Sequence, residues 1–432
     1  MTPKDAFALL VLFVAVPGSV LAANESRSFD LANEATYTAA RGHGFEPGFA
    51  PSWSRGDPAA GNNAGGAARA PAPDSDAKPF LFSVAVPEGN WRVTVVLGGE
   101  QPSNTTIKAE SRRLMVEACK TNGEFAEAAF IVNVRNSSVP PPGKNAPGGS
   151  AVVLNDREQG SFTWDDKLTL EFSGPAPRVN HLALEPATVP TVFLLGDSTV
   201  TDQRAEDAAS WGQMLPCFFK PEIAVANHAE SGETLKSFVT GLRLAKVLSQ
   251  LKAGDWAFIQ FGHNDQKQQW PQTYVEAGTT YQAWLRTYVA EVRARGATPV
   301  LVTSPQRRNF GADGTIKNTH GDYPAAVRAV AAAEQVALID LEAASRAFYE
   351  ALGPERAPLA FCNGGKDATH HNNYGAYELA KAVAQGIRHA KLSLESFLAE
   401  DFAGFDPARP DDPAAFSLPA SPLRTTLAPR GN

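Results

Sequence analysis

Two stretches of the chain combine side chains that are suited to acyl transfer. GDSTVTDQ, at residues 196–203, places Ser198 two residues after the glycine that ends an apolar run. DATHHNN, at residues 367–373, places Asp367 three positions before His370. Serine becomes a nucleophile when a base lies within hydrogen-bonding reach, and a histidine oriented by a carboxylate is such a base near neutral pH. These residue types therefore indicate a candidate nucleophile, base and orienting acid.

Both stretches also have simpler interpretations. A Gly-Asp-Ser turn before a helix often contains only a helix-capping serine. Asp367, His370 and His371 are also candidate metal ligands, but adjacent histidines point in different directions and the sequence lacks HExxH and any Cys/His cluster. We therefore expect no metal. Structural packing or substrate contact, rather than a role as the base, is expected for the remaining histidines near this site: His371, His228, His263 and His320.

Apolar runs alternate with amphipathic helical patterns in the second half of the chain. The run TVFLLG at 191–196 comes first, and EIAVANHA, WAFIQFG, TPVLVTS and VALID follow. This alternation predicts a parallel sheet with helices on both faces. Reactive groups in such sheets gather at the carboxyl edge of the strands. We therefore expect GDSTVTDQ, HAESGETLKSF, QFGHNDQK, SPQRR and DATHHNN to meet at that edge.

The first half of the chain has a different pattern. FLFSVAVPEG, NWRVTVVLGG, TTIKAES, FIVNVRNSS and KLTLEFSG alternate apolar and polar residues between turn-forming ones, which predicts an antiparallel β-sandwich. We place this all-β domain at residues 27–186 and the α/β domain at 187–398. Residues 51–78 are rich in Pro, Gly and Ala and predict a flexible loop, while the proline-rich residues 399–432 predict a tail over the surface.

Composition limits the classes of protein. The 432 residues carry a formal net charge of -7, with a pI near 5.7, which disfavours general binding to nucleic acid or anionic membranes. Residues 1–22 combine a lysine, a short apolar run and a small-residue end, as in a secretory signal peptide, so we expect a secreted or periplasmic protein. The cysteines are Cys119, Cys217 and Cys362, of which Cys217 and Cys362 are candidate disulfide partners.

The order of these blocks resembles a known family. GDS, SG, GHND and DxxH follow one another as in the SGNH (GDSL-type) hydrolases, and the longer strings FLLGDSTVTDQ, ANHAESGETLKSF, FIQFGHNDQK and DATHHNNYGAYELAK are similar to those of rhamnogalacturonan acetylesterases. The resemblance covers about residues 190–395 and implies a flavodoxin-like, three-layer α/β domain. The β-rich region before it resembles the galactose-binding-type sandwich modules found ahead of such esterases.

The resemblance implies a role for each residue of the site. Ser198 would be the nucleophile, His370 the base and Asp367 the acid that orients it. The oxyanion would be stabilised by the backbone N–H groups of Ser198 and Gly232 and by the side-chain amide of Asn264. Such a mechanism needs no cofactor. The expected activity is removal of acetyl groups from a plant cell-wall polysaccharide, with rhamnogalacturonan (pectin) as the leading substrate.

Pectic substrates carry carboxylates, so cationic and aromatic residues beside the site are candidate substrate-binding groups. Lys267 and Trp270 follow the third strand of the sheet, and Arg307 and Arg308 follow the fourth. An ordinary solvated rim with a structural tryptophan explains them equally well. Two other functions stay open: acetylesterase activity on another glycan such as xylan, and carbohydrate binding without catalysis. We expect an acetylated polysaccharide as the substrate, and no nucleic acid or membrane partner.

Overall fold

The computed structural model describes residues 25–51, 78–424 and 429. The predicted signal peptide and nearly all of the predicted flexible loop at 51–78 lie outside the described residues. None of the helices in the described part is long and apolar enough to cross a membrane.

Antiparallel strands form two packed sheets in the first half of the described chain. One sheet has the order β1-β9-β4-β7 and the other has the order β2-β3-β8-β5-β6. The strands are β1 (Arg27–Asp30), β2 (His43–Phe45), β3 (Phe80–Ala85), β4 (Gly89–Gly98), β5 (Ser103–Ala109), β6 (Arg113–Thr121), β7 (Phe125–Val134), β8 (Lys167–Ala176) and β9 (Val179–Pro186).

The alternating sequence pattern creates the core of this sandwich. Along β4, Trp91, Val93, Val95 and Leu97 are buried, while the residues between them are partly exposed. Successive side chains of a strand point to opposite faces, so a period of two buries one face against the facing sheet. The predicted β-sandwich is confirmed.

A five-stranded parallel sheet forms the second half, in the order β11-β10-β12-β13-β14. Its strands are β10 (Thr191–Gly196), β11 (Ala224–Asn227), β12 (Trp256–Gln260), β13 (Thr298–Val302) and β14 (Ala337–Ile339). This is the flavodoxin-like order, with the first strand between the second and third, so the predicted fold class is confirmed. All residues of β10 and β12 are buried, because helices cover both faces of the sheet.

The helices form the outer two layers. They are α1 (Trp211–Met214), α2 (Leu235–Thr240), α3 (Arg243–Gln250), α4 (Gln282–Ala294), α5 (Tyr323–Ala333), α6 (Leu341–Arg356) and α7 (Asn373–His389). Helices α1, α6 and α7 share one apolar core with the sheet, and α2–α5 share the other.

Two amphipathic stretches of the second half form short or interrupted helices. In SWGQMLPCFF only α1 is α-helical, and a 3-10 turn, Leu215–Phe218, follows it at Pro216. Proline lacks the N–H group that would continue the helix. TLKSFVTGLRLAKVLSQL divides into α2 and α3 at Leu242, which has a left-handed φ of 60°.

A buried interface joins the sandwich to the α/β region. Arg113 of β6 lies 2.9 Å from the carboxylate of Asp202, and Arg112 lies 2.7 Å from that of Glu206. The predicted tail enters this interface, because Ser421 is buried and its hydroxyl donates to Glu171 Oε1 at 2.8 Å. The domain boundaries given above stay predictions.

The cysteines do not pair. Cys119, Cys217 and Cys362 are all free, so the candidate bridge between Cys217 and Cys362 is wrong. Cys217 follows α1, where its thiol donates to the backbone carbonyl of Met214, whereas Cys362 lies in the loop that leads to Asp367. Three cysteines allow at most one disulfide bond, but the sequence does not show which thiols lie near each other.

Candidate active site

Ser198 lies in a tightly built turn at the carboxyl end of β10. A side chain at Gly196 would meet the carbonyl of Gln260 at 2.8 Å, so the strand end has room only for glycine. Asp197 Oδ1 accepts hydrogen bonds from the backbone N–H and the hydroxyl of Thr199, at 3.0 and 2.9 Å. The Gln203 amide donates to the carbonyl of Ser198 at 2.7 Å. The backbone of Ser198 is therefore fixed on both sides.

His370 and Asp367 meet this serine from the loop before α7. The Ser198 hydroxyl oxygen lies 2.8 Å from His370 Nε2, and His370 Nδ1 lies 2.9 Å from Asp367 Oδ2. Ser198 is 4% exposed and His370 is 1% exposed. The structure therefore brings together the three residues that the sequence predicted. The serine and the histidine are 172 positions apart in the chain.

The second oxygen of Asp367 holds the loop itself. Asp367 Oδ1 accepts from the backbone N–H groups of Thr369 at 2.7 Å and His370 at 2.9 Å. Burial alone would raise the pKa of Asp367, but hydrogen bonds from the His370 ring and from these N–H groups outweigh it, so the pKa lies well below its usual range. The carboxylate is thus charged whenever the imidazole needs an acceptor.

Gly232 and Asn264 lie together beside the serine loop. Gly232 has a φ of 85°, a left-handed conformation that favours glycine. The Asn264 side-chain amide donates to the carbonyl of Glu233, the next residue after Gly232, at 3.1 Å. A carboxamide carries two N–H groups and this bond uses one of them. Lys267 Nζ donates to Asn264 Oδ1 at 3.1 Å, which fixes the orientation of the amide.

Asp265 joins the two loops that carry these groups. Its Oδ1 accepts from the backbone N–H of Leu235 at the start of α2, and its Oδ2 accepts from that of Gly262 after β12, both at 2.9 Å. Burial raises the pKa of Asp265 to about 7. Sequence reasoning missed this role of Asp265, although its place in the GHND block was a signal for one.

The candidate substrate-binding residues divide into two groups. Lys267 Nζ lies 4.3 Å from the ring centre of Trp270. Arg307 donates to the carbonyls of Thr319 and His263, both at 3.2 Å, and Arg308 donates to that of Gly365 at 2.6 Å. Both guanidinium groups thus donate hydrogen bonds to backbone carbonyls.

Arg308 also supports the loop that carries the carboxylate. Besides Gly365, its guanidinium contacts the carbonyl of Asp367 at 3.3 Å, and its backbone N–H donates to the carbonyl of Ala368 at 2.8 Å. These contacts hold the loop of Asp367 against the end of β13. Substrate binding by the two arginines, Lys267 and Trp270 stays a prediction.

The other histidines have structural surroundings. His371 Nε2 lies 2.6 Å from the Tyr349 hydroxyl, and burial lowers the pKa of His371 to about 3. His320 Nε2 lies 2.9 Å from His263 Nδ1, and burial lowers the pKa of His320 to about 3 as well. His228 is buried beside Trp164 of the sandwich. Across residues 25–51, 78–424 and 429, no group of three His, Cys, Asp or Glu residues is placed to hold a metal ion.

A cleft of about 810 Å³, here called the lateral cleft, opens beside Gly232. One wall belongs to residues 153–155 of the sandwich region, another to α2 and the start of α3, and a third to the loop of Trp270. Its lining residues are Val153, Leu154, Asn155, Ser231, Gly232, Glu233, Ser237, Thr240, Gly241, Arg243, Trp270, Pro271, Gln272 and Thr273.

Comparison with known proteins identifies the class to which this fold belongs. Residues 194–376 match the model of the GDSL-like lipase/acylhydrolase family. Rhamnogalacturonan acetylesterase RhgT of Bacillus subtilis is 40% identical over 220 residues, which cover 48% of this chain and 93% of that protein. The chain therefore belongs to the GDSL-like lipase/acylhydrolase family and is an ester hydrolase.

Two further similar proteins also come from Bacillus subtilis. The probable rhamnogalacturonan acetylesterase YesY is 39% identical over 213 residues, covering 48% of this chain and 98% of that protein. The crystal structure of the protein YxiM is 22% identical and covers 85% of this chain and 99% of that one, with a TM-score of 0.47.

Proposed function

We propose that the protein is a serine esterase that removes acetyl groups from a plant cell-wall polysaccharide, with rhamnogalacturonan as its main substrate. The observation that carries this proposal is the continuous hydrogen-bonded line from Ser198 Oγ through His370 to Asp367, with bonds of 2.8 and 2.9 Å. Nucleophile, base and orienting carboxylate have the geometry that acyl transfer requires.

The first half of the reaction forms an acetyl-enzyme. Ser198 Oγ attacks the acetyl carbonyl carbon while His370 Nε2 takes the hydroxyl proton. Negative charge develops on the carbonyl oxygen, towards which the N–H groups of Ser198, Gly232 and Asn264 donate. When the intermediate collapses, the bond to the sugar oxygen breaks and His370 returns the proton to that oxygen. The products are acetyl-Ser198 and a free sugar hydroxyl.

The second half releases acetate. His370 takes a proton from a water molecule, whose oxygen attacks the acetyl carbonyl of the ester on Ser198. The same donors stabilise the second oxyanion, and the proton returns to Ser198 Oγ as the acyl bond breaks. Asp367 keeps the other ring proton on Nδ1, so Nε2 is the nitrogen that takes up and returns the proton in both halves. No step needs a cofactor.

The substrate class is supported by the relatives. RhgT is named as a rhamnogalacturonan acetylesterase and YesY as a probable one. Beside the proposed site, the ammonium group of Lys267 and the indole of Trp270 supply a cation and an aromatic face for a sugar acid. Export of the enzyme, which we propose from residues 1–22, would bring it to a polymer that cannot enter the cytoplasm.

Acetate release tests the proposal. Wild-type enzyme is incubated with acetylated rhamnogalacturonan, acetylated xylan and p-nitrophenyl acetate, with the Ser198→Ala variant as control. We expect hydrolysis of all acetyl esters by the wild type with the highest kcat/KM on rhamnogalacturonan, and a loss of about 10³-fold or more in the variant. Equal activity of the variant would overturn the mechanism, and a higher kcat/KM on xylan would overturn the main substrate.

A further inference from the structure

The lateral cleft shares one residue with the proposed catalytic site. Gly232, whose backbone N–H we assign to the oxyanion, is one of its lining residues. We propose that the cleft binds neutral sugar units adjacent to the acetylated one, so that the sandwich region forms part of the substrate site. The proposal rests on the proposed esterase function and names a second part of the same substrate.

The size of the cleft exceeds what the reacting group needs. Its volume of about 810 Å³ falls within the range of about 300–1,000 Å³ that is typical of pockets for ligands of several rings. An acetyl group has only three non-hydrogen atoms. A cleft this large beside the proposed oxyanion site therefore fits the polymer rather than the ester group.

The lining of the cleft is suited to neutral sugars. Its charged residues, within the described chain, are Glu233 and Arg243, whose Oε1 and Nε atoms lie 3.2 Å apart. The second oxygen of Glu233 accepts from the Ser237 hydroxyl at 2.6 Å. The rest of the wall offers hydroxyl groups, amides, backbone and the Trp270 indole. Neutral hydroxyl-bearing rings match such a surface, whereas a carboxylate would find no unpaired cation there.

Ser231 supplies independent evidence for a ligand. It precedes Gly232, is 3% exposed and lines the cleft, yet its Oγ has no hydrogen-bond partner among the described residues. A buried hydroxyl without a partner lowers stability, and native structures usually avoid it. Rotation of the Ser231 side chain about its Cα–Cβ bond would turn this hydroxyl towards the cleft, where a sugar hydroxyl would provide the missing partner.

The wall from the sandwich region is held in place before any ligand arrives. The backbone N–H of Val153 donates to the carbonyl of Gly241 at the end of α2, at 3.0 Å. Behind it, Arg243 donates to Glu158 Oε1 at 2.9 Å, and the same glutamate accepts from the backbone N–H of Asn155 at 2.9 Å. The Val153 side chain is nevertheless 63% exposed. A fixed wall with an exposed apolar side chain binds a ring face at low entropic cost.

Val153→Gln tests the wall, with Phe125→Gln as its matched control. Both side chains are apolar and similarly exposed, at 63% and 64%, and both belong to the sandwich region, but Phe125 does not line the cleft. We expect Val153→Gln to raise KM for acetylated polymer about fivefold while kcat and the rate on p-nitrophenyl acetate stay unchanged. Phe125→Gln should match the wild type on both substrates. Identical behaviour of the two variants, or parallel changes on both substrates, would overturn the proposal.

Ser231→Ala tests the contact with the ligand, because it should weaken substrate binding without lowering the stability of the protein. Removing an unpartnered buried hydroxyl should leave Tm unchanged or raise it, whereas the KM for polymer should increase about fivefold, as for one lost neutral hydrogen bond. A fall in Tm together with equal losses on polymer and p-nitrophenyl acetate would assign Ser231 a structural role and contradict the proposal.

A binding measurement separates this proposal from the esterase function. Calorimetric titration of the Ser198→Ala enzyme with deacetylated rhamnogalacturonan oligosaccharides and with xylo-oligosaccharides needs no turnover. Weaker binding after adding Val153→Gln supports the cleft, even if the wild type releases no acetate from polymers. The proposal that the cleft binds sugar is overturned if Val153→Gln leaves binding unchanged or if neither oligosaccharide binds. Hydrolysis of acetyl esters is a separate result in either case.

Discussion

The two oxygens of Asp367 have different tasks. One accepts from the His370 ring and the other from two backbone N–H groups of its own loop. A carboxylate performs both tasks because all its lone pairs are acceptors. A substitution that removes the charge of Asp367 but keeps its shape should therefore disturb the orientation of the imidazole more than the folding of the loop.

Asp367→Asn should lower kcat by about 10³- to 10⁴-fold with little change in KM. The carboxamide can still accept from the loop backbone, but its NH₂ group would face His370 Nδ1 and favour the tautomer that carries its proton on Nε2. That nitrogen could then no longer take the proton of Ser198. Asp313→Asn is a matched control, since Asp313 accepts from the Thr315 backbone N–H in a similar turn. A loss below about tenfold would contradict the assigned role.

Asn264→Ala should lower kcat on a small acetyl ester by about 100- to 1000-fold, because one donor to the developing oxyanion is lost. KM should change less, since the charge on that oxygen appears only during reaction. Asn180→Ala removes a side-chain amide that also donates to a backbone carbonyl, that of Gly98 in the sandwich. If both variants kept full kcat, Asn264 would be a structural residue only.

At the residue scale the sequence predicted which side chains meet but not every task. Ser198, Asp367 and His370 were recognisable because the GDS, SG, GHND and DxxH blocks follow one another as in the SGNH hydrolases. Arg308 was not, because a guanidinium after a strand serves equally well to bind a substrate carboxylate or a backbone carbonyl. Only the path of the 365–368 loop shows that carbonyls are within reach.

Asp265 acts at the scale of elements, since it ties the start of α2 to the end of β12. Its pKa is raised to about 7 by burial, against an ordinary 3.8. The folded protein therefore holds more protons on this group than the unfolded chain does between those values. The contribution of Asp265 to the free energy of unfolding consequently falls as pH rises from about 4 to 7.

Asp265→Asn should reveal this pH dependence. The variant loses an acceptor at every pH, but it also loses the cost of ionising a buried carboxyl group. The free energy of unfolding of the wild type minus that of the variant should decrease between pH 4 and 7, by at most about 4 kcal/mol for a shift of about three pKa units. Urea unfolding at several pH values measures it. A difference that stayed constant or grew with pH would contradict the raised pKa.

The strands of the parallel sheet were predictable because burial on both faces demands continuous apolar runs. The ends of the helices were less predictable from the sequence. Nothing local distinguishes the proline that ends α1 from one tolerated in a first turn, and the left-handed φ of Leu242 between α2 and α3 depends on how both helices pack. The wall of the lateral cleft also escaped prediction, since residues 153–155 lie in a loop whose partner is remote in sequence.

On the scale of the whole molecule, buried cations of the sandwich reach the loop that carries the nucleophile. Arg112 donates to the carbonyls of Gln203 and Ala208, at 3.1 and 2.9 Å, and Gln203 in turn holds the carbonyl of Ser198. Gln213 donates to the carbonyl of Gln203 as well as to that of Ser111, at 2.9 and 2.7 Å. The two regions therefore share one polar core.

Arg113→Ala should destabilise the whole protein by about 3–5 kcal/mol, because it leaves Asp202 buried with its nearest cationic partner removed. Calorimetry should show a single unfolding transition for the wild type, since the regions are joined by buried ion pairs, and a lower Tm for the variant. Arg286→Ala is the control, because its pair with Glu334 is largely exposed and should contribute at most about 1 kcal/mol. Two separate wild-type transitions, or equal effects of both variants, would contradict the shared core.

Ser421 completes the interface with a residue that is synthesised near the end of the chain. Its hydroxyl lies 2.9 Å from Lys108 Nζ, although the two residues are 313 positions apart, and Lys108 also donates to the carbonyl of Pro419. Domains fold in order as the chain leaves the ribosome. The sandwich and the sheet are synthesised before these two partners of the ammonium group. Premature termination before Pro419 would yield a chain with every proposed catalytic residue but an unfinished seam, open to proteolysis.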